Sequence, residues 1–297
     1  MKKFLFLLFA GFLSLQLNAQ TWTNISSVSP TPVKVSLISP DVQNPSFNVD
    51  IKGFMSNTVS TTAGIQKTIS IENSTPILEA GAPDIPKVTT TLIVPDNQNM
   101  EVVVTFSGWV DYQNIEIAPS KGNFTRNIDP ATVPYVFGPA YSQNQFYPGT
   151  LASLKEPFIL RDFRGQTVVT YPFQYNPVTK VLRVYNNLSV SLHSTTGTVV
   201  NPLFRTQALT SIDKEFGNVY GSQFLNYTSN HKYTPLNEHG KMLIVCYDAY
   251  MTAMQPLVDW KNDEGIPTQM VSTSTAGSTA AAIKAYVTNY YNTNGLT

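Results

Sequence analysis

The sequence predicts an all-β domain of sandwich or jelly-roll-like type, followed by the start of an α/β domain. From about Thr21 to Thr198, short segments of alternating apolar and polar residues follow one another with no helical pattern between them. Pro, Gly and Asn punctuate the spaces, and many strands without intervening helices favour packed antiparallel sheets. After Glu238 the regime changes: Met242 to Cys246 is a continuous apolar run, as in a parallel strand covered on both faces, and helical periods follow it.

Taken in order, the chain opens with a targeting segment. Lys2 and Lys3 form its positive end, Phe4 to Leu15 its apolar run, and Leu17-Asn18-Ala19 a small-residue cleavage site before Gln20. Residues 1–19 therefore read as a signal peptide cut between Ala19 and Gln20. The apolar run is shorter than the roughly 20 residues a membrane span needs, so no transmembrane span is expected after its removal. Composition fits export. Net charge is +0, only 13% of residues are charged and no basic run occurs, which excludes a nucleic-acid partner. With 42% hydrophobic residues in 297, the chain can bury a sizeable core in about two domains. One cysteine rules out an internal disulfide.

Within the β region, Phe47, Val49 and Ile51 alternate with polar neighbours, and Lys67 to Glu72 and Met100 to Phe106 give further strands. Gln166 to Phe173 is a strand, Asn176 to Lys180 a turn, and Leu182, Val184, Leu188, Val190 and Leu192 the buried face of the next strand. The spacing thus predicts a hairpin across that turn. Ile115 to Gly149 is too rich in Pro, Gly and Asn for a regular element, yet it carries six aromatic side chains. Long loops in compact domains are functional or disordered, and the aromatics argue that this one is held down.

From about 211 to 225 the pattern is helical, with Ile212, Phe216 and Tyr220 at i, i+4, i+8 and Ser211 as N-cap. A polar segment, Asn230 to Pro235, then separates two regimes and is a natural site of proteolysis. In the α/β part a helix is expected to hold Pro256 in its first turn and to stop at Gly265. A second strand spans Pro267 to Thr273. Ser278 is expected to cap a second helix, with Ile283, Tyr286, Val287 and Tyr290 on one face. This β-α-β-α unit stops where a third strand is due, so the sequence reads as a truncated precursor.

No catalytic constellation is visible. Cys246 sits inside an apolar strand, where a free cysteine acts as a small hydrophobe, whereas a reactive thiolate needs exposure and a basic neighbour. His193, His231 and His239 form no dyad with it, and neither metal-ligand spacing nor a phosphate-binding glycine motif occurs. The chain itself is expected to be inactive, with no catalytic residue and no evident cofactor.

Several stretches carry a family resemblance. Pro157 to Gln166 (PFILRDFRGQ), Gln174 to Tyr185 (QYNPVTKVLRVY), Gly81 to Pro86 (GAPDIP) and Ile117 to Gly122 (IAPSKG) resemble the prodomain of gingipains. These are secreted cysteine endopeptidases that cleave after basic residues. Val258 to Gly265 (VDWKNDEG) is similar to the early catalytic domain. The resemblance implies an all-β prodomain followed by the truncated start of an α/β, caspase-like catalytic domain: signal peptide 1–19, inhibitory prodomain 20–232, peptidase fragment 233–297. It implies that Arg126, five residues past Lys121, enters the primary specificity pocket of the protease, and that processing falls between Lys232 and Tyr233 of the Tyr-Thr-Pro segment. The partners implied are the protein's own catalytic domain and protein substrates. The location implied is extracellular or the outer surface, reached through the periplasm. The catalytic His and Cys would lie beyond this chain, and calcium, common in the mature family, cannot be placed on these residues. Arginine against lysine specificity stays open, because Arg126 and Lys232 point different ways. Two other readings remain: a secreted β-sandwich inhibitor or adhesion module with a vestigial peptidase tail, and a gingipain-like surface-anchoring transpeptidase.

Overall fold

The computed structural model describes residues 20–205, 208–227 and 241–294, together with the backbone of 234–236. They divide into two units. The first comprises the chain up to 206 plus 223–228, and the second comprises 207–222 and 229–297.

The first unit is antiparallel β throughout. Its strands are β1 (Thr21–Asn24), β2 (Lys34–Ser39), β3 (Ser46–Asp50), β4 (Gly53–Thr61), β5 (Gly64–Ser70), β6 (Thr75–Pro76), β7 (Pro86–Ile93), β8 (Asn99–Phe106) and β9 (Trp109–Tyr112). After a long loop follow β10 (Ala152–Leu154), β11 (Phe158–Leu160), β12 (Phe163–Thr170), β13 (Phe173–Asn176), β14 (Val181–Tyr185) and β15 (Asn187–Thr195). They form four sheets, ordered β1-β4-β5, β10-β12-β7-β6 with β11 also on β12, β13-β14-β9, and β2-β3-β15-β8. One hydrophobic cluster unites them. It holds the inward residues of the alternating segments, among them Phe47, Val49, Leu92, Val168, Phe173 and Leu182, all 0% exposed. Burying each such side chain contributes about 1.5–3 kcal/mol, so the inward register is strongly specified.

The expected face of Leu182, Val184, Leu188, Val190 and Leu192 is wholly buried. It belongs to two strands, however. The ladder breaks at Asn186, whose carbonyl takes the Ile51 N–H at 2.9 Å, and the chain passes from the sheet of β14 to that of β15. The hairpin differs too. Across the Asn176–Lys180 turn β14 pairs with β13, Phe173 opposite Val184, while Gln166 belongs to β12 in another sheet. The Asn176 side chain accepts from the N–H groups of Val178 and Thr179, as the turn chemistry requires.

Two features fasten later segments of the chain to β12 and β7. Arg164, on β12, is 0% exposed and donates to the carbonyls of Pro95, Gln98, Val200 and Asn201 at 2.8–3.0 Å. Four carbonyl dipoles replace its water, although burial still pulls its pKa below the usual arginine value. Further on, Phe224 (2% exposed) stacks on Phe158 at 6.2 Å, while Asn226 returns both backbone bonds of Ile93, accepting from its N–H at 2.8 Å and donating to its carbonyl at 3.0 Å. Gly165 makes room for this, since a Cβ there would lie 2.5 Å from the Phe224 ring.

The second unit holds β16 (Ser211–Asp213), α1 (Lys214–Gln223), β17 (Thr234–Leu236), β18 (Met242–Cys246), α2 (Met251–Asp263), β19 (Thr268–Ser272), α3 (Thr273–Ala276) and α4 (Ala280–Asn294). Two parallel pairs form, β16 with β17 and β18 with β19. Three expectations are corrected here. Ser211 and Ile212 lie in a strand, and the α1 cap is Asp213, whose carboxylate accepts from the N–H groups of Glu215 and Phe216 at 2.9 and 3.1 Å. Helix α2 starts at Met251, so Pro256 lies past its first turn, inside the helix. The cap before α4 is Thr279, bonding the Ala282 N–H, and not Ser278; Val287 lies exposed on a face whose other expected members are half-buried. Gly265, at φ +82°, ends α2 as expected.

Candidate functional site

The loop between β9 and β10 is threaded against the β unit from its first residues. The Lys67 N–H donates to the Glu116 carbonyl and the Ala118 N–H returns to Lys67, both at 2.8 Å, so Ile117 pairs with the edge of β5. On the other side Asp84 N–H donates to Ala118 at 2.9 Å, and Ser120 N–H to Ala82 at 2.7 Å. The Tyr175 hydroxyl donates to the Ile115 carbonyl at 2.9 Å, and Tyr141, from later in the loop, donates to the Ile117 carbonyl at 2.8 Å. Burial raises both phenol pKa values, so each stays a donor.

The returning arm crosses the same segment. Gly138 N–H bonds the Gly81 carbonyl at 2.9 Å, and a Cβ on Gly138 would lie only 2.9 Å from that oxygen. Gly81 itself is at φ +80°, so the crossing needs glycine on both chains. Aromatic side chains then fasten the arm. Phe137 meets Tyr141 edge-on at 4.8 Å, and Phe146 lies under the Arg183 guanidinium at 4.3 Å. Tyr147 exchanges both backbone bonds with Tyr175 at 2.8 Å and donates its hydroxyl to Glu79. Arg183 is gripped bidentately by Asp111 at 2.8 Å, which holds that carboxyl below its usual range.

Arg126 sits at the tip of this construction. Ile128 N–H returns to the Thr125 carbonyl at 3.0 Å, closing a turn in which Arg126 is the first of the two central residues. Its side chain is exposed and has no partner among the described residues. Below it, Asp129 caps a single 3₁₀ turn, Pro130 to Thr132, by accepting from the Ala131 N–H at 2.9 Å. Lys121 spans the base, donating to the Pro130 carbonyl at 2.7 Å and standing over the Tyr135 ring at 4.5 Å. Sequence reading gave Lys121 no role, and only the seating of the two arms reveals one.

Ala19, Lys232 and Tyr233 lie outside the described residues, and Gln20, the first described, is exposed. Cys246 is buried at 7% exposure, its thiol directed at the Tyr247 carbonyl 3.4 Å away. At the same strand end Asp248 accepts from the hydroxyls of Thr273 and Ser274 and from the Ser274 N–H, which holds its carboxyl at about 2. These bonds tie the carboxyl end of β18 to α3. Among the described residues no three His, Cys, Asp or Glu side chains gather as a metal site.

Residues 32–233 match the Propeptide_C25 family, and residues 235–296 match Peptidase family C25. Gingipain R1 of Porphyromonas gingivalis is 37% identical over 241 residues, 80% of this chain and 24% of that protein. Gingipain R2 of strain W83 is 35% identical over 241 residues, 80% of this chain and 32% of its own length. Lys-gingipain of the same species is 26% identical over 316 residues, 98% of this chain and 17% of its length. The chain thus spans a third or less of each of these relatives. The solved complex of Porphyromonas gingivalis RgpB pro- and mature domains matches with a TM-score of 0.60 and 34% identity, covering 65% of this chain and 98% of that one.

Proposed function

Because this chain belongs to the gingipain family of C25 peptidase precursors, carrying the propeptide and the start of the peptidase domain, we propose that it is the zymogen portion of a secreted cysteine endopeptidase that cleaves after arginine. The propeptide keeps its own catalytic domain latent by placing Arg126 in the primary specificity pocket. One observation carries this reading: Arg126 is the exposed, unpartnered tip of a turn whose two arms are bonded to the β unit on both sides. A guanidinium offers a planar fork of donors that pairs bidentately with a pocket carboxylate, so one side chain can dominate the interface. A turn already in its docked shape loses little entropy on binding. Identity to gingipains R1 and R2, above that to Lys-gingipain, weighs against lysine and so supports the arginine reading that Arg126 suggests.

Export by the signal peptide, cut at Ala19–Gln20, and processing at Lys232–Tyr233 belong to the same reading. The propeptide match ends at 233 and the peptidase match begins at 235, which supports a cut at that point. No helix among the described residues is long and apolar enough to cross a membrane. The test is inhibition of the mature enzyme by residues 20–232, a piece whose β unit has its own core and whose counterpart forms a separate chain in the RgpB complex. Arg126→Ala is expected to weaken inhibition by roughly 30-fold or more, the effect of truncating a desolvated charged anchor. Equal inhibition constants for the two proteins would remove Arg126 from the mechanism.

A further inference from the structure

We propose that Lys121 is a positioning residue for the inhibitory turn, a clasp that closes its base and holds Arg126 in the docking-competent shape. This rests on the pocket reading of Arg126 and adds to it the residue that prepares it.

The stretch from Lys121 to Pro130 begins on a fixed point. Ser120 is held on both sides, its N–H on Ala82 at 2.7 Å and its carbonyl taking Gly81 N–H at 2.9 Å, and its hydroxyl accepts from Gly122 N–H at 3.2 Å. It ends on another, the 3₁₀ turn fixed by Asp129, with Thr132 hydroxyl and N–H both on the Asp129 carbonyl at 2.7 and 3.0 Å. Between them the only bonds seen are local to the tip: the Thr125–Ile128 turn and the Thr125 hydroxyl on the Asn127 side chain. Among the described residues, Lys121 alone joins the two ends through a side chain. Its ammonium reaches the Pro130 carbonyl at 2.7 Å and, across the Tyr135 ring at 4.5 Å, the arm that returns to the β unit. A charged donor on a carbonyl and a cation over a ring are each stronger than a neutral contact. A lysine stem also leaves the head three donors to share.

The clasp is not the anchor. Lys121 faces inward across the base, whereas Arg126 points outward from the tip. Opening the base leaves the arms attached through Ser120 and Gly138, so the fold persists while the tip samples more shapes. Apparent affinity then falls by the fraction of time the tip is competent, a loss that appears as slower association.

The experiment measures association rate, inhibition constant and amide hydrogen exchange at 123–129 for residues 20–232 against the mature peptidase. Four variants are compared: Lys121→Met, Lys121→Arg, Arg126→Ala and the double variant Lys121→Met/Arg126→Ala. Lys121→Met is expected to raise the inhibition constant about tenfold, through slower association, and to speed exchange at the tip. Lys121→Arg keeps the donor and the cation over the ring and should recover most of the loss. In the Arg126→Ala background, Lys121→Met should change inhibition by less than about twofold, because the clasp has nothing left to position. A full further loss in that background would show Lys121 touching the protease itself and overturn the proposal. So would normal inhibition by Lys121→Met while Arg126→Ala is impaired, an outcome that leaves the pocket reading standing. If Arg126→Ala inhibits normally, the pocket reading falls and this one falls with it.

Discussion

Asp84 lies in the segment that pairs with the first arm of the inhibitory loop, and no hydrogen bond to its carboxylate is seen among the described residues. Burial pushes its pKa from 3.8 up to about 6. The protonated form is therefore favoured by folding, a contribution fully present below about pH 3.8 and lost as pH rises through about 6. At neutral pH the carboxylate costs on the order of 1–3 kcal/mol. Asp84→Asn should thus raise the stability of residues 20–232 at pH 7.5 and flatten its decline between pH 4 and 7, as read from denaturant midpoints across that range. An unchanged pH profile would mean that solvent reaches the carboxyl. None of this was legible in the sequence, where Asp84 is one residue of a Gly-Ala-Pro-Asp-Ile-Pro turn. The same holds for Lys121, whose acceptor is a backbone carbonyl across the base of its own loop, and for Arg164, whose partners are backbone carbonyls contributed by segments distant in the chain. Alternation marks which residues face inward, but a carbonyl acceptor leaves no trace in composition.

At the scale of elements, periodicity located strands well and assigned their partners poorly. Phe47, Val49 and Ile51, and the run from Leu182 to Leu192, are buried as their period requires. The sheet change at Asn186 was invisible because the break preserves parity: Val184 and Leu188 lie an even number of residues apart, so the apolar face continues through it. The α1 cap was misplaced for a related reason. Ser211 and Asp213 are both good caps, and only the pairing of β16 with β17 takes the first out of the helix. The aromatic loop was recognised as held down, yet what holds it is largely backbone, at the crossing of Gly81 and Gly138. Gly138→Ala would press a methyl group against the Gly81 carbonyl and separate the two chains. It should lower stability by about 1–3 kcal/mol and weaken inhibition with it, while Gly149→Ala, with open space around it, should cost less than about 0.5 kcal/mol. Thermal unfolding of both variants checks this, and equal midpoints would show that the crossing can relax.

For the molecule as a whole, the β unit carries a complete core, whereas the peptidase part present here leaves its strand β18 only half-buried and exposes Tyr247, Tyr250 and Trp260 by 55–63%. Residues 20–232 should therefore unfold in one cooperative transition, and residues 233–297 expressed alone should show none. A sharp transition for the second piece would overturn this. The separation has a bearing on activation. The last anchor of the β unit, Phe224 to Tyr227, ends five residues before the proposed cut after Lys232, while β17 pairs with β16 from the other side of it. The β16–β17 pair thus joins the two sides of the proposed cut by backbone pairing as well as by the peptide bond. Under the proposed cut, the two pieces would stay joined without a covalent bond through the β16–β17 pair, and would part by dissociation or by destruction of the first. Processing and release are then separate clocks: the nick sets when activity becomes possible, and the lifetime of the complex sets when it appears.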